Sequence, residues 1–335
     1  MNDYKNILVI RRDNIGDLVC TTPLLTALRI RFPRARIGVL ANSYNAPVLG
    51  GNQDIDDVYA YRKLKHQIDS SAISTFAGRV GLLWTLRRKR FDLVVLAGGA
   101  QDSRGEKLAR LLSRGKIARS EPPVLGQHEV ERTFTVARAL GVEGPIPSLR
   151  VIADCNALAR ARRAIEQAGS SGMRPLIGMH ISARRPFQRW SAEGFARLAF
   201  ALQEKHGAAT MLFWSPGPEN HPEHPGDDDK AKSIVDEVAG KASMIPWPTT
   251  ALGDLIGGLA ACDALVCSDG GAMHIAAGLG KPIVCFFGDS PVDRWRPWGT
   301  RHIVVQADSH RVADLSLADV TGATSALLGG YPALP

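Results

Sequence analysis

Three short segments of this 335-residue chain carry residues whose types and spacing could do chemistry. The first is Arg11-Arg-Asp-Asn-Ile-Gly-Asp17, followed by Thr21-Thr-Pro23, directly after the apolar run Ile7–Ile10. A carboxylate just beyond a buried strand, in a glycine-containing turn before a helix, sits at the carboxyl edge of a parallel sheet, where α/β enzymes keep reacting groups. Asp17 could be a catalytic group there. It could equally cap the following helix, and position alone leaves both readings open.

The second segment follows Leu176-Ile-Gly-Met-His180 and contains Arg184, Arg185 and Arg189 within six residues. Such a group can grip a pyrophosphate by charge-assisted hydrogen bonds, or be a solvated basic loop. His180 alone reads more readily as a packed histidine than as a catalyst. Further on, Phe213-Trp-Ser-Pro-Gly-Pro-Glu219 places Glu219 near the same edge. An acid there can accept from ribose hydroxyls, although an ordinary surface glutamate fits as well.

The third segment, Ser268-Asp-Gly-Gly-Ala-Met-His-Ile-Ala-Ala277, joins two apolar runs through a tight acidic-glycine turn and a helix start. Free N–H groups at such a helix tip favour anions. Gly270 and Gly271 would let a ligand approach the backbone, with Asp269 and His274 within reach of it.

These segments need a scaffold, and the chain supplies one. Short apolar runs alternate with amphipathic stretches over the whole length, the pattern of parallel α/β architecture. Strands are predicted at 7–10, 36–40, 58–61, 93–96 and 116–118, then at 176–179, 209–214, 264–267, 283–287 and 303–305. Helices fit between them, for example at 22–31, 71–88, 129–140, 157–168, 192–206 and 271–278. The connector Gly141-Val-Glu-Gly-Pro-Ile-Pro147 divides two halves of ordinary domain size. Residues 216–229, polar and broken by Pro and Gly, read as a solvated loop in preference to a metal site. The run Arg87-Arg-Lys-Arg90 ends a predicted helix, where cations favour the helix dipole.

Charge is unevenly placed. The net +8 resolves into +10 for residues 1–150 (24 Lys+Arg against 14 Asp+Glu) and −2 for the rest. The basic half therefore suits an acidic acceptor, an anionic membrane surface or nucleic acid. No apolar run reaches the ~18–20 residues that span a bilayer, and no signal peptide is expected. Five scattered cysteines without a Cys-x-x-Cys pair suggest reduced core thiols. A Walker lysine motif and a Gly-x-Gly-x-x-Gly fingerprint are both absent, which disfavours a kinase or a nicotinamide enzyme.

Taken in order, the motifs resemble those of the bacterial heptosyltransferases, the ADP-heptose:lipopolysaccharide enzymes of glycosyltransferase family nine. The likeness rests on Arg12-x-Asp-x-Ile-Gly-Asp-x-Val-x-Thr-Thr-Pro23, His180…Arg-Trp190, and Ser268-Asp-Gly-Gly-Ala-Met-His-Ile-Ala-Ala277 with Gly280-Lys-Pro282. Phe287-Gly288 and Trp295…Pro297-Trp-Gly299 complete it. The resemblance implies an α/β fold of two Rossmann-like domains facing across a cleft, the GT-B type. Residues 1–153 would bind the acceptor and 154–335 the nucleotide sugar.

It further implies an inverting transferase that needs neither metal nor cofactor, with Asp17 as general base. The donor, ADP-heptose, would be held by Arg184, Arg185, Arg189, Glu219, Asp269, Gly270, Gly271 and His274. Arg12, Arg62, Lys63 and Lys65 are expected to meet an acidic, phosphorylated glycolipid acceptor. The protein would then be cytoplasmic and associated with the face of the inner membrane, with no nucleic-acid partner. Two departures from the family pattern stand out. Gly270 replaces a common Thr or Ser, and Gln188 stands where a Lys often sits. They leave open a different nucleotide sugar passed to a glycan, protein or small molecule. A non-catalytic nucleotide-sugar or nucleic-acid binding protein is the remaining alternative, disfavoured by the lack of interleaved aromatics in the basic half.

Overall fold

A computed structural model describes residues 4–61, 72–98, 102–219 and 226–329. The chain forms two compact units, Met1–Ile152 and Ala153–Pro335, each built around one parallel sheet.

In the first unit the order is β1 (Asn6–Ile10), α1 (Ile15–Val19), α2 (Thr22–Arg31), β2 (Arg36–Asn42) and β3 (Asp57–Tyr61). It continues with α3 (Ala72–Arg88), β4 (Phe91–Leu96), α4 (Ser103–Leu112), β5 (Ser113–Arg119) and α5 (Glu129–Ala139). The sheet order is β3-β2-β1-β4-β5, all parallel. The central strands are continuous apolar runs because helices cover both faces of a parallel sheet. Ile7, Leu8 and Val9 of β1 and Leu93, Val94 and Val95 of β4 are completely buried. Ile10 pairs with Leu40 on one side and Leu96 on the other. The chain leaves β1 toward β2 and returns on the opposite flank as β4. Their carboxyl ends therefore form a topological switch point, where α/β sheets leave a crevice.

The second unit runs α6 (Cys155–Gln167), β6 (Leu176–His180), α7 (Ala192–His206), β7 (Ala209–Trp214), α8 (Asp228–Val238) and β8 (Met244–Pro248). Then come α9 (Leu252–Ala261), β9 (Ala264–Ser268), α10 (Gly271–Gly278), β10 (Ile283–Phe287), α11 (Val292–Trp295), β11 (His302–Gln306) and α12 (Leu317–Gly329). Its sheet order is β11-β10-β9-β6-β7-β8. His180 pairs with Cys267, so β6 and β9 end side by side at this sheet's own switch point.

All ten strands read from the sequence are present. The eleventh, β8, contains Pro246 and Pro248, which lack donors and argue against a strand. It is tolerated because it lies at the sheet edge. Residues 216–229 are not wholly loop either. Asp228 and Asp229 open α8, where acidic side chains complement the helix dipole. Asp228 also accepts from Trp214 Nε1 at 2.7 Å and from the Gly217 amide at 2.9 Å. Four cysteines are buried, while Cys155 is exposed.

Candidate functional site

The loop after β1 carries Asp17 into α1 and is held rigidly. Asn42 Nδ2 donates to the carbonyls of Arg12 (3.2 Å) and Asp13 (2.9 Å), and Asn45 exchanges bonds with Asn42 beneath it. Both asparagines are buried. Asp17 Oδ2 accepts from the Asn14 backbone (3.0 Å) and side chain (3.1 Å), so the capping role does exist. Asp17 Oδ1 accepts from Arg11 Nη2 at 2.5 Å. With two lone pairs per oxygen, three bonds leave Oδ1 an unused acceptor position. The Asp17 side chain is 13% exposed, enough to meet a ligand.

Behind Asp17 lies a charge network that sequence reasoning did not single out. Arg11 is 2% exposed and also donates to Glu129 Oε1 at 2.7 Å and to the Ala97 carbonyl at 2.5 Å. Glu129 is fully buried and accepts from Arg132 as well, through Nε at 2.9 Å and through Nη2. Arg132 in turn reaches Ser120 Oγ at 2.9 Å. Burial opposes the Arg11 charge, but Asp17 and Glu129 together raise its pKa above the ordinary arginine value. Burial also works against the Glu129 charge, yet Arg132 and Arg11 outweigh it and hold that carboxyl down at about 2. The signal that could have found the network was three charged residues falling at positions otherwise reading as core.

Arg12 Nη2 donates to both carboxylate oxygens of Asp102, at 2.9 and 3.0 Å, and its guanidinium carbon lies 5.8 Å from the Tyr61 ring centroid. It is thus already committed to a carboxylate. Burial raises the pKa of Asp13; Arg11 counteracts, while Asp17 and Asp102 add to the rise. Arg62, Lys63 and Lys65 lie outside the described residues.

In the second unit, the loop after β6 is anchored by Trp190. This residue is buried edge-on against Phe195 (5.1 Å) and Phe286 (5.4 Å) and donates to the Leu315 carbonyl at 3.1 Å. The anchor brings two expected donor residues together, Arg189 and Glu219. Arg189 Nε donates to the Ala183 carbonyl at 2.9 Å, and its Nη1 pairs with Glu219 at 2.9 Å. Asp227 lies 3.8 Å from the same Nη1 and is 3% exposed, and its Oδ2 is buried with no hydrogen-bond partner. Lys230 donates to the Ile181 carbonyl at 3.1 Å. Burial lowers its pKa to about 8, with Asp227 opposing and Arg189 adding to the fall. Burial, reinforced by Lys230, lowers His180 to about 4. His180 is therefore neutral near pH 7.

Gln188 is buried and donates to Asp269 Oδ2 at 3.4 Å and Ser290 Oγ at 3.3 Å, while Ser268 Oγ donates to its carbonyl at 2.6 Å. The two segments at the β6/β9 switch point are thus stitched together. Burial raises the pKa of Asp269, opposed by Ser290 and Arg185. Arg185 lies 5.6 Å from the Phe187 ring centroid, and Arg184 is exposed. Gly270 has φ 162°, extended backbone open to any residue, and a Cβ there would meet nothing within 4 Å. Gly271 begins α10, whose first amides have no intrahelical acceptor. His274 is 3% exposed and packs edge-on against Trp295, 6.0 Å between ring centres.

Residues 93–323 match the model of glycosyltransferase family 9 (heptosyltransferase). The chain belongs to that family. It is 26% identical over 319 residues to lipopolysaccharide heptosyltransferase 3 of Escherichia coli, covering 88% of this chain and 87% of that one. Among solved structures it resembles the family 9 glycosyl transferase of Veillonella parvula, with TM-score 0.83, 22% identity and 98% of each chain covered. It also resembles E. coli heptosyltransferase WaaC with ADP, with TM-score 0.75, 18% identity, and 96% and 99% of the two chains covered. The glycosyltransferase is thus of the GT-B type, an α/β fold of two parallel sheets with helices.

Proposed function

We propose that this glycosyltransferase is an inverting, metal-independent enzyme that moves heptose from ADP-heptose to an acidic lipopolysaccharide inner core. In this reading Asp17 is the general base. The first unit takes the acceptor and the second the donor, at the cytoplasmic face of the inner membrane. The observation that carries the reading is Asp17 itself. It sits at the β1/β4 switch point, is fixed from behind by Arg11, and keeps one acceptor position on Oδ1 unused.

The chemistry balances without a cofactor. The acceptor oxygen attacks the anomeric carbon from the face opposite the diphosphate while its proton passes to Asp17. The anomeric C–O bond breaks, and ADP leaves with the electron pair. Negative charge growing on the diphosphate meets Arg189, Arg185 or Arg184 and the amides at the start of α10. Glu219, paired with Arg189, and Asp227, with its unsatisfied Oδ2, supply acceptors for the donor ribose. Asp269 and His274 flank the helix tip on which the sugar would rest. The relatives support this donor and acceptor, since the E. coli relative is named a lipopolysaccharide heptosyltransferase and a similar structure holds ADP.

A second reading keeps the chemistry and changes the substrates. Gln188 places a neutral amide, bonded to Asp269 and Ser290, where a lysine charge is common, which favours a donor making fewer demands there. A panel of ADP-, UDP-, GDP- and dTDP-sugars separates the two by nucleotide release. Turnover of ADP-heptose alone supports the first, and turnover of another sugar with none of ADP-heptose replaces it with the second.

A further inference from the structure

The helix α3 presents two faces of different character. Leu82, Leu83 and Leu86 turn inward and pack with the core of the first sheet. On the outer face, Val80 is 49% exposed and Trp84, one turn later, is 58% exposed. Arg87 and Arg88 continue this face to the helix end, and the Arg88 guanidinium carbon lies 3.8 Å from the Trp84 ring centroid. Arg90 follows in a left-handed conformation, φ 53°, uncommon for a side-chain-bearing residue. Arg114 reaches the same place from the start of β5. Together Trp84, Arg87, Arg88, Arg90 and Arg114 line a concavity of about 450 Å³. None of the four arginines forms an ion pair among the described residues.

A helix C-terminus accounts for Arg87 and Arg88 but not for Arg90, Arg114 or an exposed indole. Four unpaired cations around one hollow repel one another and call for anions. Val80 and Trp84 beside them are apolar, which phosphate-backbone contact alone would not require. An apolar stripe with an interfacial aromatic and arginines on one helix face is the composition of a segment lying in a bilayer interface.

We propose that the outer face of α3, with Arg90 and Arg114, docks the protein on the anionic phospholipid headgroups of a membrane. The proposal deepens the reading above, in which the acceptor is lipid-borne. As the crossover between parallel strands β3 and β4, α3 covers one face of the sheet, and the hollow at its end lies where β4 and β5 begin, at the amino edge of the sheet, whereas the Asp17 loop follows β1 at the carboxyl edge.

The test uses the full chain and sedimentation with phosphatidylcholine vesicles, with and without phosphatidylglycerol. Wild-type protein is expected to bind the anionic vesicles in a salt-sensitive way. Arg88→Gln and Arg114→Gln should each weaken partitioning about fivefold. Trp84→Ala should weaken it and remove a blue shift of indole emission. Folding is monitored by transfer to a water-soluble, delipidated acceptor, which these variants should perform at the wild-type rate. Unchanged partitioning of the variants, or no preference for phosphatidylglycerol, overturns the proposal. So does displacement by millimolar inorganic phosphate, which would make the hollow a free-phosphate site. Loss of transfer to the soluble acceptor would place these residues in the active site instead and likewise overturn it. Failure to use ADP-heptose would strike the functional reading while leaving the vesicle result to stand or fall by itself.

Discussion

Arg11 Nη2 donates to Asp17 Oδ1 at 2.5 Å from a position inside the first core, so the proposed base is aimed by a residue that no solvent or substrate touches. The same guanidinium is neutralised from behind by Glu129 at 2.7 Å. Asp17 is therefore the outer end of a buried charge chain, not a solitary surface carboxylate.

Replacing Asp17 by Asn tests the base assignment. The amide cannot serve both neighbours, because Arg11 and the Asn14 amide are donors on opposite oxygens. Proton abstraction is lost, and transfer should fall about 10²–10⁴-fold. ADP affinity should stay within about twofold of wild type, since the donor residues belong to the other unit. Turnover near the wild-type rate would refute the assignment.

The network predicts a pH dependence of stability. Glu129 sits at about 2 in the folded protein, below its ordinary 4.5. A depressed carboxyl contributes stability that is complete above its unfolded pKa and lost as pH falls through the folded one. The window is therefore from about 4.5 down to about 2. Glu129→Gln should remove that part of the acid dependence. It should also destabilise at pH 7 by about 3–5 kcal/mol, because Arg11 and Arg132 lose a buried partner. Urea unfolding across the window checks both, and equal slopes for the two proteins would count against the charge chain.

How far the sequence reached follows from the same residues. Strands and their loops were legible because parallel, doubly covered strands are unbroken apolar runs, and ten of the eleven strands among the described residues announced themselves. The edge strand β8 did not, since Pro246 and Pro248 are acceptable only where one side lacks a partner. Arg189, Glu219 and Asp269 could be placed near sheet edges from spacing alone. That Arg189 would pair with Glu219 depends on β6 and β7 lying side by side, and that Gln188 would bond to Asp269 depends on β6 and β9 becoming neighbours across 81 residues of chain. Arg11, Glu129 and Arg132 were hidden for another reason. A buried ion pair leaves no periodic trace, and its partners are 118 residues apart.

Arg189 is placed to carry diphosphate charge. Its partner Glu219 is 75% exposed, so their ion pair contributes about 1 kcal/mol or less. Arg189→Ala should therefore leave the unfolding midpoint nearly unchanged while weakening ADP binding about tenfold or more. Calorimetry giving the wild-type Kd would remove Arg189 from the donor site.

Asp227 makes a sharper prediction about the ribose. Its Oδ2 is buried without a partner, and leaving such an atom unsatisfied costs about 1–3 kcal/mol, which a ligand hydroxyl would recover. If the ribose supplies that hydroxyl, Asp227→Asn should weaken ADP binding about tenfold and 2′-deoxy-ADP binding much less. Equal losses for both nucleotides would mean that Asp227 acts only through Arg189, 3.8 Å away.

Gly270 separates backbone need from ligand need. Its φ of 162° is available to any residue, and the place a Cβ would occupy is open. Gly270→Thr should consequently fold with stability within about 0.5 kcal/mol of wild type, as surface substitutions away from special backbone do. Its effect belongs to the donor. The added hydroxyl stands beside the first amides of α10, where it can donate to a phosphate or sugar oxygen. A tighter Kd for ADP-heptose in the Thr variant, with an unchanged melting temperature, would show that the wild-type glycine leaves a contact unmade. A large fall in melting temperature would show instead that the turn itself depends on glycine, against the geometry at this position.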